Sequence, residues 1–295
     1  MNTASPYADQ LARTPQSDAE ISVLGRRTRY WTYGPDDAAV TVVLVHGYRG
    51  EHHGLEPIVA QLPDVRFIAP DLPGFGESDE LDGPHDIDGY VRWLREFVTV
   101  LGVEGTAVIL GHSFGSIITA AAVARGLKTP RLILVNPIAI PGLKGPRPFA
   151  TALTVGFYRS ARFLPERAAR AFLGSWLIVR GMSIALVKTR DKALRAWVHS
   201  QHHSYFSRFA SKRSILEGFE ASVTRSVGEF ANGISVPTLL IAADRDDITP
   251  LSANRALSAA IPTASLVVLE NVGHLIHYEK PAEAARAIAD FLGDS

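Results

Sequence analysis

The sequence predicts an α/β protein with a mostly parallel central sheet and helices on both faces. Three observations lead to this prediction. Segments of strand type alternate with helical segments over most of the chain, which is the order that parallel sheets require. Residues 40–45 and 131–135 are rich in Val, Leu and Ile, as expected of strands buried on both faces. Residues 108–116 join such a run to a helical segment through the sequence Gly-His-Ser-Phe-Gly.

The first half of the chain supplies most of the predicted sheet. Residues 27–33 alternate between polar and apolar side chains, and residues 21–24 are expected to pair with them as a hairpin. Residues 87–101 carry apolar side chains at helical spacing and end at Gly102, which indicates a helix. The other segments predicted here are strands at 40–45, 65–69, 106–110 and 131–135, and a helix at 117–124.

The alternation is interrupted after Asn136-Pro137. Residues 141–233 show helical periodicity and many basic side chains, but no strong strand. The alternation then resumes with strands at 237–243 and 265–269 and helices at 252–260 and 282–292. These patterns predict a core made of residues 18–140 and 234–295, a helical, basic cap made of residues 141–233, and a mobile N-terminal tail over residues 1–17.

The composition excludes several classes of protein. The 295 residues include no cysteine, so neither disulfides nor thiolate metal sites can form. The hydrophobic fraction of 46% and the charged fraction of 20% are typical of a soluble globular protein. The net charge is zero, yet residues 141–230 contain 15 Lys and Arg against 5 Asp and Glu. Residues 1–17 lack the apolar stretch of a signal peptide, so we expect a cytoplasmic protein.

The most informative motif is Gly111-His112-Ser113-Phe114-Gly115, between a predicted strand and a predicted helix. A serine at such a turn is pushed out of the sheet, and the glycines two residues before and after it avoid steric collisions. Ser113 is therefore a candidate nucleophile. The alternative interpretation of the same residues is an ordinary turn between strand and helix.

A serine hydroxyl needs a base, and the base needs a group that orients it, because an alcohol is a poor nucleophile at neutral pH. Active-site groups of parallel sheets follow the carboxyl ends of the strands. The predicted strand at 237–243 is followed by Asp244, Asp246 and Asp247, and the strand at 265–269 is followed by His274. The sequence therefore supplies an acid and a histidine where the partners of Ser113 are expected.

Four motifs in this order resemble those of the α/β-hydrolase superfamily, in its lidded esterase- and lipase-like branch. The resemblance extends over residues 30–292 and implies the α/β-hydrolase fold, with the catalytic residues in the order Ser, Asp, His. The motifs are His46-Gly47, Asp71-x-x-Gly-x-Gly-x-Ser78, Gly111-x-Ser113-x-Gly115, and Asn271-Val272-Gly273-His274 with His277-x-Glu279-x-Pro281.

The resemblance implies which aspartate is the acid. The family places it three residues after a strand-end glycine and four before a proline; Asp246 lies four residues before Pro250, and Ala243 replaces the glycine. Asp244 and Asp247 are then loop or capping groups. His274 is the expected base, and His277 is expected to pack against a helix or cap it.

The resemblance also implies a mechanism of acyl transfer. Ser113 attacks a carbonyl carbon, His274 moves the proton, and Asp246 orients the imidazole. The backbone N–H groups of Tyr48 and Phe114 are expected to form the oxyanion hole.

Three further residues, His46, Gly47 and His112, are expected to support these loops. We expect no cofactor. We also expect no metal, because the pair His52-His53 has no Cys or further His/carboxylate cluster to complete a site.

The expected substrate is a carboxylic ester with an apolar or lipid-like acyl group, because the cap contains apolar segments at 171–179 and 181–187 on either side of Arg180. Its basic residues predict transient contact with an anionic membrane surface, whereas packing of two cap helices over the sheet is the simpler interpretation. We expect no nucleic-acid partner, because no binding motif is present.

Other functions remain open on the sequence. An acyltransferase or a hydrolase of carbon–carbon bonds could use the same three residues. The segment Tyr48-Arg49-Gly50 is less rich in glycine than the oxyanion loop of the latter enzymes. Serine at position 113 disfavours the dehalogenases and epoxide hydrolases of this fold, which use aspartate. A non-catalytic ligand-binding protein of the same fold is the alternative from a different class.

Overall fold

In a computed structural model, which describes residues 4–145 and 148–293, eight strands form one sheet in the order β1-β2-β4-β3-β5-β6-β7-β8. β1 and β2 form an antiparallel hairpin, β2 pairs antiparallel with β4, and the strands from β4 to β8 in this order run parallel. This confirms the predicted fold class. The strands are β1 (Gln16–Val23), β2 (Arg26–Tyr33), β3 (Thr41–Val45), β4 (Arg66–Pro70), β5 (Val108–His112), β6 (Leu132–Val135), β7 (Thr238–Ala243) and β8 (Ala264–Leu269).

The helices of the described residues alternate with these strands, and one group of five lies between β6 and β7. They are α1 (Ala8–Leu11), α2 (Glu56–Val59), α3 (Ile87–Val100), α4 (Phe114–Ala124), α5 (Pro148–Ala161), α6 (Glu166–Leu173), α7 (Trp176–Leu186), α8 (Lys192–Tyr205), α9 (Lys212–Thr224), α10 (Leu251–Ala260), α11 (Ile276–Glu279) and α12 (Pro281–Gly293). Helices α5 to α9 are the segment that the sequence marked as a cap.

The sheet separates two apolar cores because successive side chains of a strand point to opposite faces. In β3, Val43 and Val45 pack in the core that also contains α3 and α4. Val42 and Leu44 of the same strand pack in the other core, with Ile58 of α2 and side chains of α12. Helices therefore cover both faces, as the sequence predicted.

The prediction of a mobile tail over residues 1–17 does not fit the structure. Residues 8–11 form α1, and residue 16 already begins β1. The ring of Tyr7 packs edge-on against Trp197 at 5.5 Å, and its hydroxyl donates to the carbonyl oxygen of Tyr278 at 3.2 Å. Residues 16 and 17 are polar because they begin β1, an edge strand with mostly exposed side chains. Residues 1–3, part of the same prediction, lie outside the described residues.

Helix α4 begins so close to the sheet that two positions require glycine. A Cβ atom on Gly115 would lie 2.1 Å from the carbonyl oxygen of Val45. A Cβ atom on Gly111 would lie 2.3 Å from Oγ1 of Thr119. Both distances are far below van der Waals contact, so side chains at these positions would push the helix away from the strand ends.

Replacing Gly115 by alanine should destabilise the protein by at least about 1–3 kcal/mol, because the new methyl group overlaps the backbone of β3. Gly156→Ala is the matched control, since no heavy atom lies within 4 Å of a Cβ there and the glycine is exposed in α5. It should stabilise the protein by up to about 1 kcal/mol. Urea unfolding followed by circular dichroism measures both changes, and equal effects would contradict the steric argument.

Candidate active site

Ser113 lies between the end of β5 and the start of α4, with φ 52° and ψ −117°. Non-glycine residues rarely adopt positive φ, and such strain persists only where the surrounding structure imposes it. Here the backbone N–H of Ser113 donates to the carbonyl oxygen of Val135 at 3.0 Å, and its own carbonyl accepts from the N–H of Ser116 at 2.9 Å. The strained turn therefore holds the Ser113 hydroxyl outside the sheet.

The structure brings Ser113, His274 and Asp246 into one hydrogen-bonded relay. The Ser113 hydroxyl lies 2.7 Å from Nε2 of His274, and Nδ1 of the same ring lies 2.8 Å from Oδ2 of Asp246. The three residues follow β5, β8 and β7, which end at the same edge of the sheet. The arrangement lets the hydroxyl donate to one ring nitrogen while the other donates to the carboxylate.

Asp246 is held as a carboxylate by its surroundings. Its Oδ1 accepts from the backbone N–H groups of Ile248 at 2.7 Å and Thr249 at 3.2 Å. Burial raises the pKa of Asp246, but the opposing effects of His274 and of these backbone N–H groups are larger together, so the pKa lies below its usual value. A charged acceptor is therefore fixed behind the imidazole.

Asn136 also contacts Asp246, and no sequence motif indicated this contact. Its side-chain nitrogen donates to Oδ2 of Asp246 at 3.3 Å, and its backbone has φ 45°. The available signal was its position directly after the buried strand β6, at the edge of the sheet where the other site residues lie.

The two neighbouring aspartates have other partners. Oδ1 of Asp244 accepts from the backbone N–H of Val272 at 3.2 Å, which ties together the loops after β7 and β8. Asp247 forms an ion pair with Lys188 of the cap. Asp246 is thus the one of the three aspartates whose carboxylate meets His274, whereas Asp244 connects two loops and Asp247 pairs with the cap.

The loop after β3 passes directly beside Ser113. A Cβ atom on Gly47 would lie 3.2 Å from Cβ of Ser113. In the described part of the chain, the backbone N–H groups of Tyr48 and Phe114 donate to no protein acceptor. They are therefore free to bind an oxygen atom near Ser113.

His46 braces this loop. Its Nδ1–H donates to the carbonyl oxygen of Gly47 at 2.8 Å, and its Nε2 accepts from the N–H of Leu72 at 2.8 Å. Burial lowers the pKa of His46, which keeps the ring neutral and able to accept at Nε2. The loop after β3 is thereby connected to the loop after β4.

His112 lies behind the relay rather than in it. Its ring centroid is 5.8 Å from that of His274 and 4.1 Å from that of His277. Burial, and then the proximity of His274, lowers the pKa of His112 to about 3, so the ring is neutral at physiological pH. His277, also buried, packs within α11. Both rings therefore have packing roles.

The guanidinium of Arg49 connects the same loop to the cap, a contact that no sequence pattern indicated. The residue is 2% exposed and has φ 60°. The guanidinium donates to the carbonyl oxygens of Phe206 at 2.8 Å and Leu173 at 2.9 Å, and to the hydroxyl of Tyr158 at 3.0 Å. The two carbonyls lie at the carboxyl ends of α8 and α6, where the helix dipole favours positive charge.

Residues Glu51, His52 and His53 are the one group of possible metal ligands in the described ranges, with ligand atoms within 4.8 Å of one another. The sequence analysis did not consider Glu51. Oε1 of Glu51 accepts from His53 at 2.6 Å, and Arg208 lies 3.7 Å from Oε2. His52 donates to Oδ1 of Asp71 at 2.9 Å. Within the protein, Oε1 of Glu51 and Oδ1 of Asp71 thus each accept a hydrogen bond from a histidine of this group.

Comparison with known proteins gives a consistent set of matches. A family model described as "Alpha/beta hydrolase family" matches residues 42–287. The 2-hydroxy-6-oxononadienedioate/2-hydroxy-6-oxononatrienedioate hydrolase 2 of Pseudomonas putida is 25% identical over 272 residues, which cover 87% of this chain and 88% of that protein. Lipase 1 of Psychrobacter immobilis is 25% identical over 283 residues, which cover 92% of this chain and 83% of that protein.

The solved structures are similar in fold. The enol-lactonase from Burkholderia xenovorans LB400 has a TM-score of 0.78 at 22% sequence identity. The match covers 94% of this chain and 100% of that one. The sheet and the cap described above thus follow the same overall path as a solved enzyme structure.

Replacing Arg49 by methionine should destabilise the protein by roughly 2–5 kcal/mol, because buried carbonyl oxygens lose a charged donor. The stability of Arg49→Lys should lie between that of the wild-type protein and that of Arg49→Met, because one ammonium group cannot reach three separated acceptors. The matched control is Arg95→Met, an exposed residue of α3 that donates to one carbonyl oxygen. Urea unfolding measures all three. A loss for Arg49→Met no larger than that of the control would contradict the role assigned to Arg49.

Proposed function

The chain belongs to the alpha/beta hydrolase family, and we propose that within it the protein is a serine hydrolase that cleaves carboxylic esters through an acyl-enzyme intermediate. The family assignment confirms the resemblance that the motifs indicated. The observation that carries the proposal is the relay of hydrogen bonds from Ser113 through His274 to Asp246, with distances of 2.7 Å and 2.8 Å.

In the proposed reaction, Oγ of Ser113 attacks the carbonyl carbon of the ester while Nε2 of His274 takes the hydroxyl proton. The carbonyl bond becomes a single bond to an oxyanion. When the tetrahedral intermediate collapses, the bond to the alcohol oxygen breaks and Nε2 returns the proton to that oxygen. A water molecule then attacks the acyl-enzyme in the same way and releases the carboxylic acid.

Asp246 is proposed to stabilise the imidazolium that forms during both steps. Its carboxylate already accepts from Nδ1 of His274 and is fixed by two backbone N–H groups. Because its pKa lies below the usual value, it remains negative when His274 becomes positive. This fixed charge also selects the ring tautomer that leaves Nε2 free to accept the proton of Ser113.

The oxyanion is proposed to accept hydrogen bonds from the backbone N–H groups of Tyr48 and Phe114. Phe114 is the first residue of α4, so the helix dipole adds partial positive charge at this point. Loss of one such donor typically reduces the rate about 10²–10³-fold. The brace from His46 to Gly47 keeps the loop of Tyr48 in place.

An apolar acyl group is proposed because aromatic side chains adjoin the loop beside Ser113. The ring of Tyr48 lies edge-on to Phe114 at 6.4 Å and to Tyr158 of the cap at 5.9 Å. Tyr158 in turn stacks on Phe219 of the cap at 3.8 Å. These rings offer an apolar wall between the core and the cap.

Cleavage of carbon–carbon bonds is the second candidate, favoured by the 25% identity to the Pseudomonas putida hydrolase over 87% of this chain. Lipase 1 has the same identity over 92% of the chain. We prefer ester cleavage because the loop Tyr48-Arg49-Gly50 is poor in glycine and its Arg49 is occupied by the cap.

The proposed function predicts how Ser113 and the two aspartates differ. A fluorophosphonate should label Ser113 in the wild-type protein, and Ser113→Ala should abolish both labelling and hydrolysis of p-nitrophenyl butyrate. Asp246→Asn should reduce kcat by about 10⁴-fold, because the amide no longer selects the productive tautomer. Asp244→Asn is the matched control, and it should change kcat less than about tenfold since its contact lies outside the relay.

Two results would contradict this proposal. An unlabelled Ser113 in folded protein would favour the non-catalytic ligand-binding alternative. Equal losses for the two aspartate variants would show that Asp246 is not the orienting acid. Product analysis in the presence of an added alcohol separates hydrolysis from acyl transfer, because a transferase forms a new ester instead of the free acid.

The proposed acyl preference is tested with p-nitrophenyl esters from acetate to dodecanoate. We expect kcat/KM to rise as the acyl chain lengthens beyond acetate, because each methylene that becomes buried favours binding by about 0.8 kcal/mol. A sharp optimum at acetate would contradict the apolar preference. It would leave ester hydrolysis itself standing, because the shortest substrate would still be cleaved.

A further inference from the structure

Large apolar side chains are exposed mainly on the cap. Six of them have between 59% and 89% of their surface exposed. A seventh, Leu143 near the start of the cap, is 47% exposed. In the described part of the core, the most exposed large apolar side chains are Leu24 at 45% and Val100 at 46%. The six are Phe149, Leu153, Phe163, Trp176, Leu177 and Ile184.

These side chains form stripes on two helices. Phe149 and Leu153 are four residues apart in α5, which places them on one face of that helix. Leu177 and Ile184 are seven residues apart in α7, with Trp176 next to the first. The other side of α7 is occupied, because Val179 and Ser183 are buried. Each helix thus has exposed apolar side chains, although one face of the Trp176 ring stacks on His203 of α8 with the ring centroids 5.0 Å apart.

Exposed cations occur in the same cap helices and in the chain segments next to them. Arg159 is in α5 and Arg167 is in α6. Arg190 lies between α7 and α8, and Lys192 is the first residue of α8. Within residues 4–145 and 148–293, none of these four has an ion-pair partner. The whole segment 141–230 has 15 Lys and Arg against 5 Asp and Glu. The exposed residues of the cap therefore include unpaired cations as well as unburied aromatic and aliphatic side chains.

We propose that the exposed surface of the cap helices docks on an anionic lipid bilayer. Aromatic and aliphatic side chains on one helix face enter the boundary between headgroups and acyl chains, while Lys and Arg remain at the headgroups. A second copy of the chain fits less well, because symmetric contact would bring two caps of the same charge together. A nucleic acid would leave the leucine and isoleucine side chains in water. The proposal does not depend on the proposed function.

The cap lies on the bilayer instead of crossing it. Residues 166–186 are long and apolar enough by composition to span a membrane. However, this segment is divided between α6 and α7 at residues 174–175 and contains Arg167, Arg170 and Arg180. A membrane span requires unbroken backbone hydrogen bonding and few charges. Contact with the bilayer surface would remove the same apolar side chains from water and leave these charged groups at the lipid headgroups.

Vesicle flotation tests the proposal on the full-length protein. Vesicles of phosphatidylcholine alone are compared with vesicles containing about 30% phosphatidylglycerol, in about 20 mM and about 500 mM NaCl, because salt screens the attraction between exposed charges. At low salt we expect at least about tenfold more binding to the anionic vesicles, and a marked loss of that binding at high salt.

Variants separate the apolar and the charged contributions. Trp176→Ser with Leu177→Ser should reduce binding at least about fivefold, because both side chains leave the apolar stripe. The matched pair Leu24→Ser with Val100→Ser, on exposed apolar positions of the core, should not. Arg167→Gln with Lys192→Gln should reduce binding to anionic vesicles, whereas Lys128→Gln with Arg286→Gln, exposed core cations, should not.

Several outcomes would overturn docking. They are no binding to anionic vesicles at low salt, equal binding to neutral vesicles, or equal losses for cap and core pairs. A dimer in analytical ultracentrifugation that only the Trp176/Leu177 variant loses would also overturn it, and would assign the face to a second copy. Fluorophosphonate labelling of the same samples reports on Ser113 separately, so a failure of docking and a failure of the proposed function are distinguishable.

Discussion

The close approach of α4 to the sheet is the constraint on which the site depends. It is possible because Gly111 and Gly115 have no side chains to collide with Thr119 and with the backbone of β3. The turn between them forces Ser113 to φ 52°, which sends its hydroxyl outside the sheet. Because the neighbouring strands run parallel, the loops after β7 and β8 end at the same edge. They need only short excursions to bring a carboxylate and an imidazole to that hydroxyl.

The cap is connected to this edge through buried polar contacts. Arg49 follows the candidate oxyanion donor Tyr48 in the chain, and its guanidinium is satisfied by two helix ends and a tyrosine hydroxyl of the cap. A buried charge without such partners would be unstable, so the position of the loop and the arrangement of the cap helices depend on each other. On its outer side the same cap presents unpaired cations and uncovered apolar side chains. The cap is thus tied to the core on one side through Arg49, and it exposes apolar and unpaired basic side chains elsewhere.

The sequence predicted the parts of the structure that follow local patterns. Alternating strands and helices predicted the parallel sheet to within about two residues at most element ends, and the motifs selected the three residues that the structure brings together. It missed contacts made far along the chain: Asn136 meets a residue 110 positions later, and Arg49 meets residues 109 to 157 positions later. The predicted tail does not fit because Tyr7 contacts Trp197 and Tyr278, which lie far along the chain, and no local pattern indicates such contacts.

The central claim is that the Ser113 hydroxyl and two free backbone N–H groups face one reacting carbonyl. A crystal structure of the protein after reaction with a fluorophosphonate tests it most directly, since the phosphoryl oxygen imitates the oxyanion. The account predicts a bond from phosphorus to Oγ of Ser113, with the phosphoryl oxygen about 2.7–3.1 Å from the N–H nitrogens of Tyr48 and Phe114. A phosphoryl oxygen bound to other donors, or an adduct on another residue, would contradict it.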